Sequence, residues 1–371
     1  MKRKSLLFVW SYVFILSTIF ISCKDTDNSV FGDDFDFPAL TDANTIRFTV
    51  NVTGDWRQLN IVADGGRMVI DWGNGRMQKV EDPSSMAGGV TYRYGNKGSY
   101  NVRIWAEELQ LIDISGLLIS ISDLHLGNMP RMKSLVLNSI TDTRELNLNT
   151  FCPNVESINI GSFADLEHLE VEHCSRLRNI QIYPKLTSME LGNHPEVEEL
   201  YCSYNGFSSF SLKGLPKLRS VDLGYNSALA SLELDENNGI NALLISGCAF
   251  QSVDDVLECC PSLNELSCSG NRLTELDLTK HLSIRELHCD HNRLTRLLVP
   301  EGQYFGHLYC HSNQLGEAAL KTLFVSLGQV PKPTPEYPRP PQCRISYSDN
   351  PGNKESLKEI LKEKNWIVDE K

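Results

Sequence analysis

Eleven cysteines and nine histidines are the residues of this 371-residue chain best suited to chemistry. Thiolates and imidazoles can hold zinc, close disulfides, or serve as nucleophile and base. Their spacing argues against each use. Cys268, Cys289 and Cys310 stand a constant 21 residues apart, and no CxxC pair or zinc-type Cys/His spacing occurs. Cys259 and Cys260 are adjacent, and His288 and Cys289, as neighbours on a strand, face opposite ways. No GxSxG, HExxH or P-loop segment is present. Cys–His catalysis needs an exposed, activated thiol, whereas alternation turns these cysteines inward, where a free thiol acts as a small apolar side chain. The expectation is therefore no catalytic residue, no metal and no cofactor, with thiols that stay reduced.

The constant spacing belongs to the elements that carry these residues. Leu266, Leu287 and Leu308 share the 21-residue period, and so do Asn271, Asn292 and Asn313. A fixed period of this size marks a solenoid whose units bury their apolar edges against their neighbours. Leu266 and Cys268 alternate, then Leu273, Leu276 and Leu278 return, so each unit holds two strand-like runs and has no room for a long helix. These residues resemble the leucine-rich repeat, LxxLxCxxNxLxxLxL, in its short bacterial form. The resemblance implies an asparagine ladder whose buried amides pair the backbone at every turn. Weaker copies run upstream: Leu200, Cys202, Asn205, Phe207, Phe210 and Leu212; then Val221, Leu223, Asn226, Leu232 and Leu234; then Cys248 in the Asn position. Leu124, Leu135, Leu146, Ile158, Leu169, Ile180 and Met189 recur at half-unit spacing. About nine turns at a strand spacing of about 4.8 Å give a rod of about 40 Å.

The start of the chain bears on location. Lys2, Arg3 and Lys4 precede an apolar run from Leu6 to Ile21 and then Ser22-Cys23. That run is short for a membrane span and suits a signal h-region. The small residue before Cys23 resembles a bacterial lipobox, which implies cleavage before Cys23 and lipid on its thiol. Phe20 departs from the usual leucine of that motif. The stretch Lys24-Asp25-Thr26-Asp27 resembles the signal that exports Bacteroidetes lipoproteins to the outer face of the outer membrane. Removing residues 1–22 takes away three cations and no acid, so the formal charge falls from −12 to −15. Such an acidic chain is unsuited to nucleic acid, and membrane attachment falls to the lipid.

The expected fold is mainly β. Residues 1–22 read as a lipoprotein signal peptide and 23–43, acidic and without periodicity, as a flexible tether. In 44–107, "DWGNG" (Asp71 to Gly75) and the Tyr92, Tyr94, Gly98, Tyr100 series resemble a PKD-type β-sandwich. Asn74 stands where Asp is common, which argues against a cation there. Trp72 and the tyrosines read as core. Leucine-rich repeats occupy 108–316. An α/β cap occupies 317–371, with helical spacing at Leu320, Leu323, Phe324 and Leu327, a proline-rich rigid loop at 331–342, a strand from Cys343 and a last helix. A cap is required because a bare solenoid end exposes core and unpaired strand edge.

What is left for function is a surface. The outward residue of the first strand is, in successive turns, Asn159, Gln181, Tyr201, Asp222, Leu244, Ser267, His288 and Tyr309, flanked by Tyr204, Tyr225, His291 and His311. This strip reads as nearly neutral and rich in rings, and Tyr offers large contact area at low entropy cost. The second run carries Glu170, Glu190, Ser211, Glu233, Asp254, Asp277 and Leu298, a column of stacked acids read as a solvated face. The candidate ligand-binding residues are thus Tyr201, Tyr204, Tyr225, His288, His291, Tyr309 and His311, with Cys23 for lipidation. Most of the mature chain resembles Bacteroidetes surface leucine-rich-repeat lipoproteins. That resemblance implies a monomeric, non-enzymatic, lipid-anchored protein at the cell surface that binds a macromolecule, a protein ahead of a glycan. A glycan-binding accessory of a polysaccharide-uptake system is the alternative.

Overall fold

The structure, a computed structural model, describes residues 45–54, 57–86, 88–106, 108–117, 119–161, 166–183, 185–332 and 342–369. The signal segment, Cys23, the tether and residues 333–341 of the proline-rich stretch lie outside them. Among the described residues no helix is long and apolar enough to cross a membrane.

The alternation in "TIRFTVNV" makes the strand Thr45–Val52, with Ile46, Phe48, Val50 and Val52 buried. It pairs antiparallel with Gly98–Ala106 on one side and Ser120–His125 on the other. Met68–Asp71 and Met77–Val80 complete that five-stranded sheet. A second set, Val90–Tyr94, Arg57–Asp64 and Leu111–Leu117, is also antiparallel. Trp72 is 1 % exposed and stacks on Tyr92 with ring centroids 4.5 Å apart. The turn after it is closed from within: Gly73 N donates to Asp71 Oδ1 at 2.9 Å and Asn74 Nδ2 to the Tyr92 hydroxyl at 2.7 Å. Asp71 also pairs with Arg103.

Leu111–Leu117 joins the two halves of the chain. One edge is antiparallel to Arg57–Asp64, while the other is parallel to Ser134–Leu137, the first strand of the repeats. From there the sheet continues in parallel through Ser157–Ile160, Asn179–Ile182, Glu199–Tyr201, Ser220–Asp222, Ala242–Leu244, Glu265–Ser267, Glu286–His288 and His307–Tyr309. Arg344–Ser346 and Ile367–Val368 prolong it at the far end. Among the described residues this single sheet holds 14 strands. In every repeat strand the middle leucine or its equivalent points in: Leu135, Ile158, Ile180, Leu200, Val221, Leu243, Leu266, Leu287 and Leu308 are all 0 % exposed.

Each turn is pinned by a buried amide. Asn292 Nδ2 donates to the carbonyl of Cys268 in the preceding turn at 2.9 Å and to Cys289 in its own at 3.1 Å. Its Oδ1 accepts from the Leu273 amide at 3.0 Å. Asn205, Asn226, Asn271 and Asn313 repeat this pattern. So does Asn350, beyond the last repeat, which donates to Cys310 and Tyr347 and accepts from Leu315. Cys248 fills the Asn position of its turn with a single weak donor, its Sγ 3.4 Å from the Leu223 carbonyl. Register and ladder together make this a leucine-rich-repeat solenoid.

The second run is less regular. Among the described residues it pairs only as Glu145–Asn147 with His168–Glu170, Ser209–Ser211 with Ser231–Glu233, and Glu275–Asp277 with Arg296–Leu298. A short helix, Asp254–Cys259, takes its place in one turn. Two longer helices follow the repeats. Glu317–Ser326 buries Leu320, Leu323 and Phe324, and Glu355–Glu363 buries Leu357 and Leu361.

Candidate recognition surface

Parallel register sets Asn159, Gln181, Tyr201, Asp222, Leu244, Ser267, His288 and Tyr309 side by side. Period two turns the residue on either side of each inward leucine outward, so the face has a second column beside this one. That column contains Glu199, Glu265, Glu286 and His307. The expectation of a nearly neutral face is therefore corrected, because it followed only one of the two outward positions. Glu265 and Glu286 are neighbours, and burial, then the Glu286 charge, pushes the Glu265 carboxyl above its ordinary range. His307 Nδ1 lies 2.8 Å from Glu286 Oε2.

The flanking rings owe their exposure to a column of left-handed backbone one residue before each ladder position. It runs Tyr204 (φ 62°), Tyr225 (58°), Gly247 (68°), Gly270 (65°), His291 (53°) and Ser312 (53°). The chain turns off the sheet there. Left-handed backbone costs a side-chain-bearing residue about 1–2 kcal/mol, so glycine at two of these turns needs no other explanation. Tyr204 and Tyr225 stack at 4.6 Å and 7° and remain 61 % and 55 % exposed. His311 does not belong to this column. It sits one place earlier in its turn and is 1 % exposed, which corrects its placement among the surface rings.

The candidate residues accordingly form two clusters. Tyr201, Tyr204 and Tyr225 make the first. His288, Tyr309, His291 and His311 make the second, with His288 and Tyr309 4.8 Å apart and His291 and His311 5.0 Å apart, edge to face. Leu244, Ser267, Gly247 and Gly270 lie between them. In the second cluster Asp290 reaches two of the three histidines: Oδ2 is 2.8 Å from His291 Nδ1 and 3.6 Å from His311 Nε2. Burial of the Asp290 carboxyl raises its pKa, but the hydrogen bonds from Ser269 and His291 outweigh this and leave it below the ordinary range. Burial lowers the pKa of His288, against the pull of Asp290 and Glu286. Sequence reading missed Asp290, whose signal is an acid at the slot that serine or glycine fills in earlier turns and His311 fills 21 residues later.

The stacked acidic column is also corrected. Glu170 pairs in register with Asn147, Glu233 with Ser211 and Asp277 with Leu298, while Asp254 opens the short helix. Each paired acid is answered locally: Glu170 by the Asn147 amide, Glu233 by Lys213 at 3.3 Å, Asp277 by the Thr279 hydroxyl at 2.7 Å. No two acids face each other in these pairs, because the partner positions hold Asn147, Ser211 and Leu298.

All ten described cysteines are free, and Cys259 is the one among them that is not fully buried. Burial pushes the thiols of Cys248 and Cys260 up to about 11 and that of Cys268 up to about 12. Such thiols are unfit as nucleophiles at neutral pH.

No family model matches this chain, and no curated protein matches it. Solved structures that resemble it in fold are leucine-rich-repeat proteins. The functional domain of InlJ from Listeria monocytogenes, described as including a cysteine ladder, matches with a TM-score of 0.48 and 20% identity over 60% of this chain. The LRIM1/APL1C complex matches with 0.45 and 17% over 60%, and the leucine-rich repeat domain of APL1B with 0.41 and 18% over 65%. This chain spans 45% of the first, 40% of the second and 74% of the third.

Proposed function

We propose that this chain is a non-enzymatic, lipid-anchored cell-surface protein that binds a macromolecule, in the first place a protein, through the first-strand face of its repeats. The observation that carries the reading is that face itself. A continuous parallel sheet sets two ring clusters at fixed spacing on a rigid support. Five strand steps separate Tyr201 from Tyr309, or about 24 Å at about 4.8 Å each. That span fits a protein interface better than a small-molecule pocket. Inward positions are committed to the core, and the buried thiols offer no activated nucleophile.

The anchoring half of the proposal rests on Ser22-Cys23 behind a basic, apolar leader. The N-terminal β module is read as PKD-like and the C-terminal segment as a cap of the kind found in Bacteroidetes surface lipoproteins. Outer-membrane attachment through Cys23, with the repeats outward, is the location proposed. Detergent phase partitioning tests it: wild type should enter the detergent phase and Cys23→Ala should not. Equal partitioning of both would refute lipidation, and full protection from protease on intact cells would place the protein inside.

One observation favours the glycan alternative. The Tyr204–Tyr225 stack leaves aromatic surface exposed, the type of platform on which sugar rings pack. A glycan array run beside a pull-down with surface proteins separates the two readings.

A further inference from the structure

We propose that Asp290, His291 and His311 form a binding site for a divalent transition-metal ion of the zinc class, with one coordination position left open. This goes beyond the recognition reading and holds whatever macromolecule the face binds. One ligand atom from each of the three residues lies within 4.8 Å of the others. The carboxylate-to-nitrogen separations, 2.8 Å and 3.6 Å, bracket the about 3.4 Å expected between ligand atoms on arms of about 2.1 Å at tetrahedral angles.

The repeat fixes this geometry. Asp290 and His311 hold the same slot in successive turns, so the pairing of Glu286–His288 with His307–Tyr309 sets their distance. His291 is the next residue on, in the left-handed column. The three residues do not follow from the repeat pattern. At the two corresponding positions, earlier turns carry Ser203 and Tyr204, Gly224 and Tyr225, Ser246 and Gly247, and Ser269 and Gly270. This one place departs from serine, glycine and tyrosine toward carboxylate and imidazole ligands.

The surrounding groups orient the ligands as a metal site requires. Ser269 Oγ donates to Asp290 Oδ1 at 2.6 Å, leaving Oδ2 for the ion. His311 Nδ1 lies 3.2 Å from Ser312 Oγ; with the proton on Nδ1, Nε2 keeps its lone pair toward Asp290. Side-chain exposures of 2 % for His311 and 15 % for Asp290 make a fixed floor, and 61 % for His291 gives an arm open to solvent. Two imidazoles and one carboxylate suit zinc, copper or nickel, whereas calcium and magnesium require more oxygen ligands. Three protein ligands with a free position are also the arrangement of exchangeable rather than closed zinc sites.

The test uses the full chain, stripped with chelator and titrated calorimetrically with zinc chloride alone. One ion should bind per chain. His291→Ala, at an exposed position, and Asp290→Asn should each weaken binding by more than tenfold, and Ser269→Ala by about tenfold. His173→Ala, an exposed histidine elsewhere, should change nothing. Melting curves in the absence of zinc check that His291→Ala keeps its fold. Cobalt should give the visible d–d absorption of a tetrahedral site in wild type and lose it in His291→Ala. No zinc uptake by the wild type, uptake unchanged in both ligand variants, or uptake lost with His173→Ala would overturn the site.

Discussion

The two edges of the solenoid start from the same apolar alphabet and end differently. The first-strand edge is one unbroken sheet through every described turn, while the second-run edge, among the described residues, is broken into two-stranded fragments and short helices. Leucines line both, as Leu276 and Leu297 show beside Leu266 and Leu287. What the first edge has in addition is the buried amide. On the other edge Cys174 and His194 stand in the comparable places: Cys174 Sγ is 3.8 Å from the Cys152 carbonyl, and the buried His194 ring sits beside the Leu191 and Cys174 carbonyls without a well-formed hydrogen bond. Hydrophobic burial is non-directional and tolerates drift between turns. A side chain that must meet three backbone groups at once does not. The first-strand face is regular because its edge is the one with the ladder.

The largest effect should come from pH, through the thiols packed behind that face. The unfolded chain loses thiol protons near 9, whereas folded Cys248 holds its proton to about 11 and folded Cys268 to about 12. Above pH 9 the unfolded state therefore binds fewer protons than the folded one, and stability falls by about 1.4 kcal/mol per buried thiol for each further pH unit. Melting temperature should be level up to pH 8 and drop steeply between 9 and 11. Cys268→Val with Cys289→Val and Cys310→Val should make the drop shallower. An equally steep drop in the triple variant would show that the thiols are not its source. Alkylation at neutral pH should label these cysteines only after denaturation.

Next comes the ladder. Asn292→Ala orphans the buried Leu273 amide, at about 1–3 kcal/mol, and removes one of the two amide donors from the Cys268 and Cys289 carbonyls, which keep Asn271 and Asn313. Denaturant unfolding should show a loss of about 3 kcal/mol, against less than about 0.5 kcal/mol for exposed Arg293→Ala. Equal losses would remove the amide from the explanation of why the two edges differ.

A smaller effect of opposite sign should come from Cys248→Asn, which supplies the amide that its turn lacks. A gain of about 1 kcal/mol is expected, the net worth of a typical hydrogen bond. Destabilisation would mean that the turn has settled around the thiol, as the Leu229 amide already has by bonding to the Asn226 carbonyl.

Much of this was legible in the sequence. The 21-residue spacing of Leu266, Cys268 and Asn271 gave period, strand, inward face and ladder together, since a repeat states its geometry several times over. The outward order from Asn159 to Tyr309 follows from the same spacing. Three things were not legible. Period two names two outward columns, and following one of them hid Glu265 and Glu286. His311 resembles His291 in type, but one position in a turn separates a buried slot from an exposed left-handed one. The acidic column presumed a second edge as regular as the first, which only a ladder on that side would have ensured. Asn350 could have been found, for Tyr347-x-x-Asn350 keeps the spacing of Cys310-x-x-Asn313 after the leucines have stopped.

The claim that the first-strand face is the recognition surface is tested most directly by binding with paired variants. Glycan-array and surface-protein screens on the wild-type chain supply the ligand, and its affinity is then measured for Tyr201→Ala with Tyr309→Ala and for Glu190→Gln, Glu233→Gln and Asp277→Asn combined. Truncating a central aromatic contact usually costs more than about 2 kcal/mol. The tyrosine variant should therefore lose at least about thirtyfold in affinity with its melting temperature retained, while the acid variant binds as wild type. Full binding by the tyrosine variant, with loss in the acid variant, would move the site to the opposite edge and contradict the account.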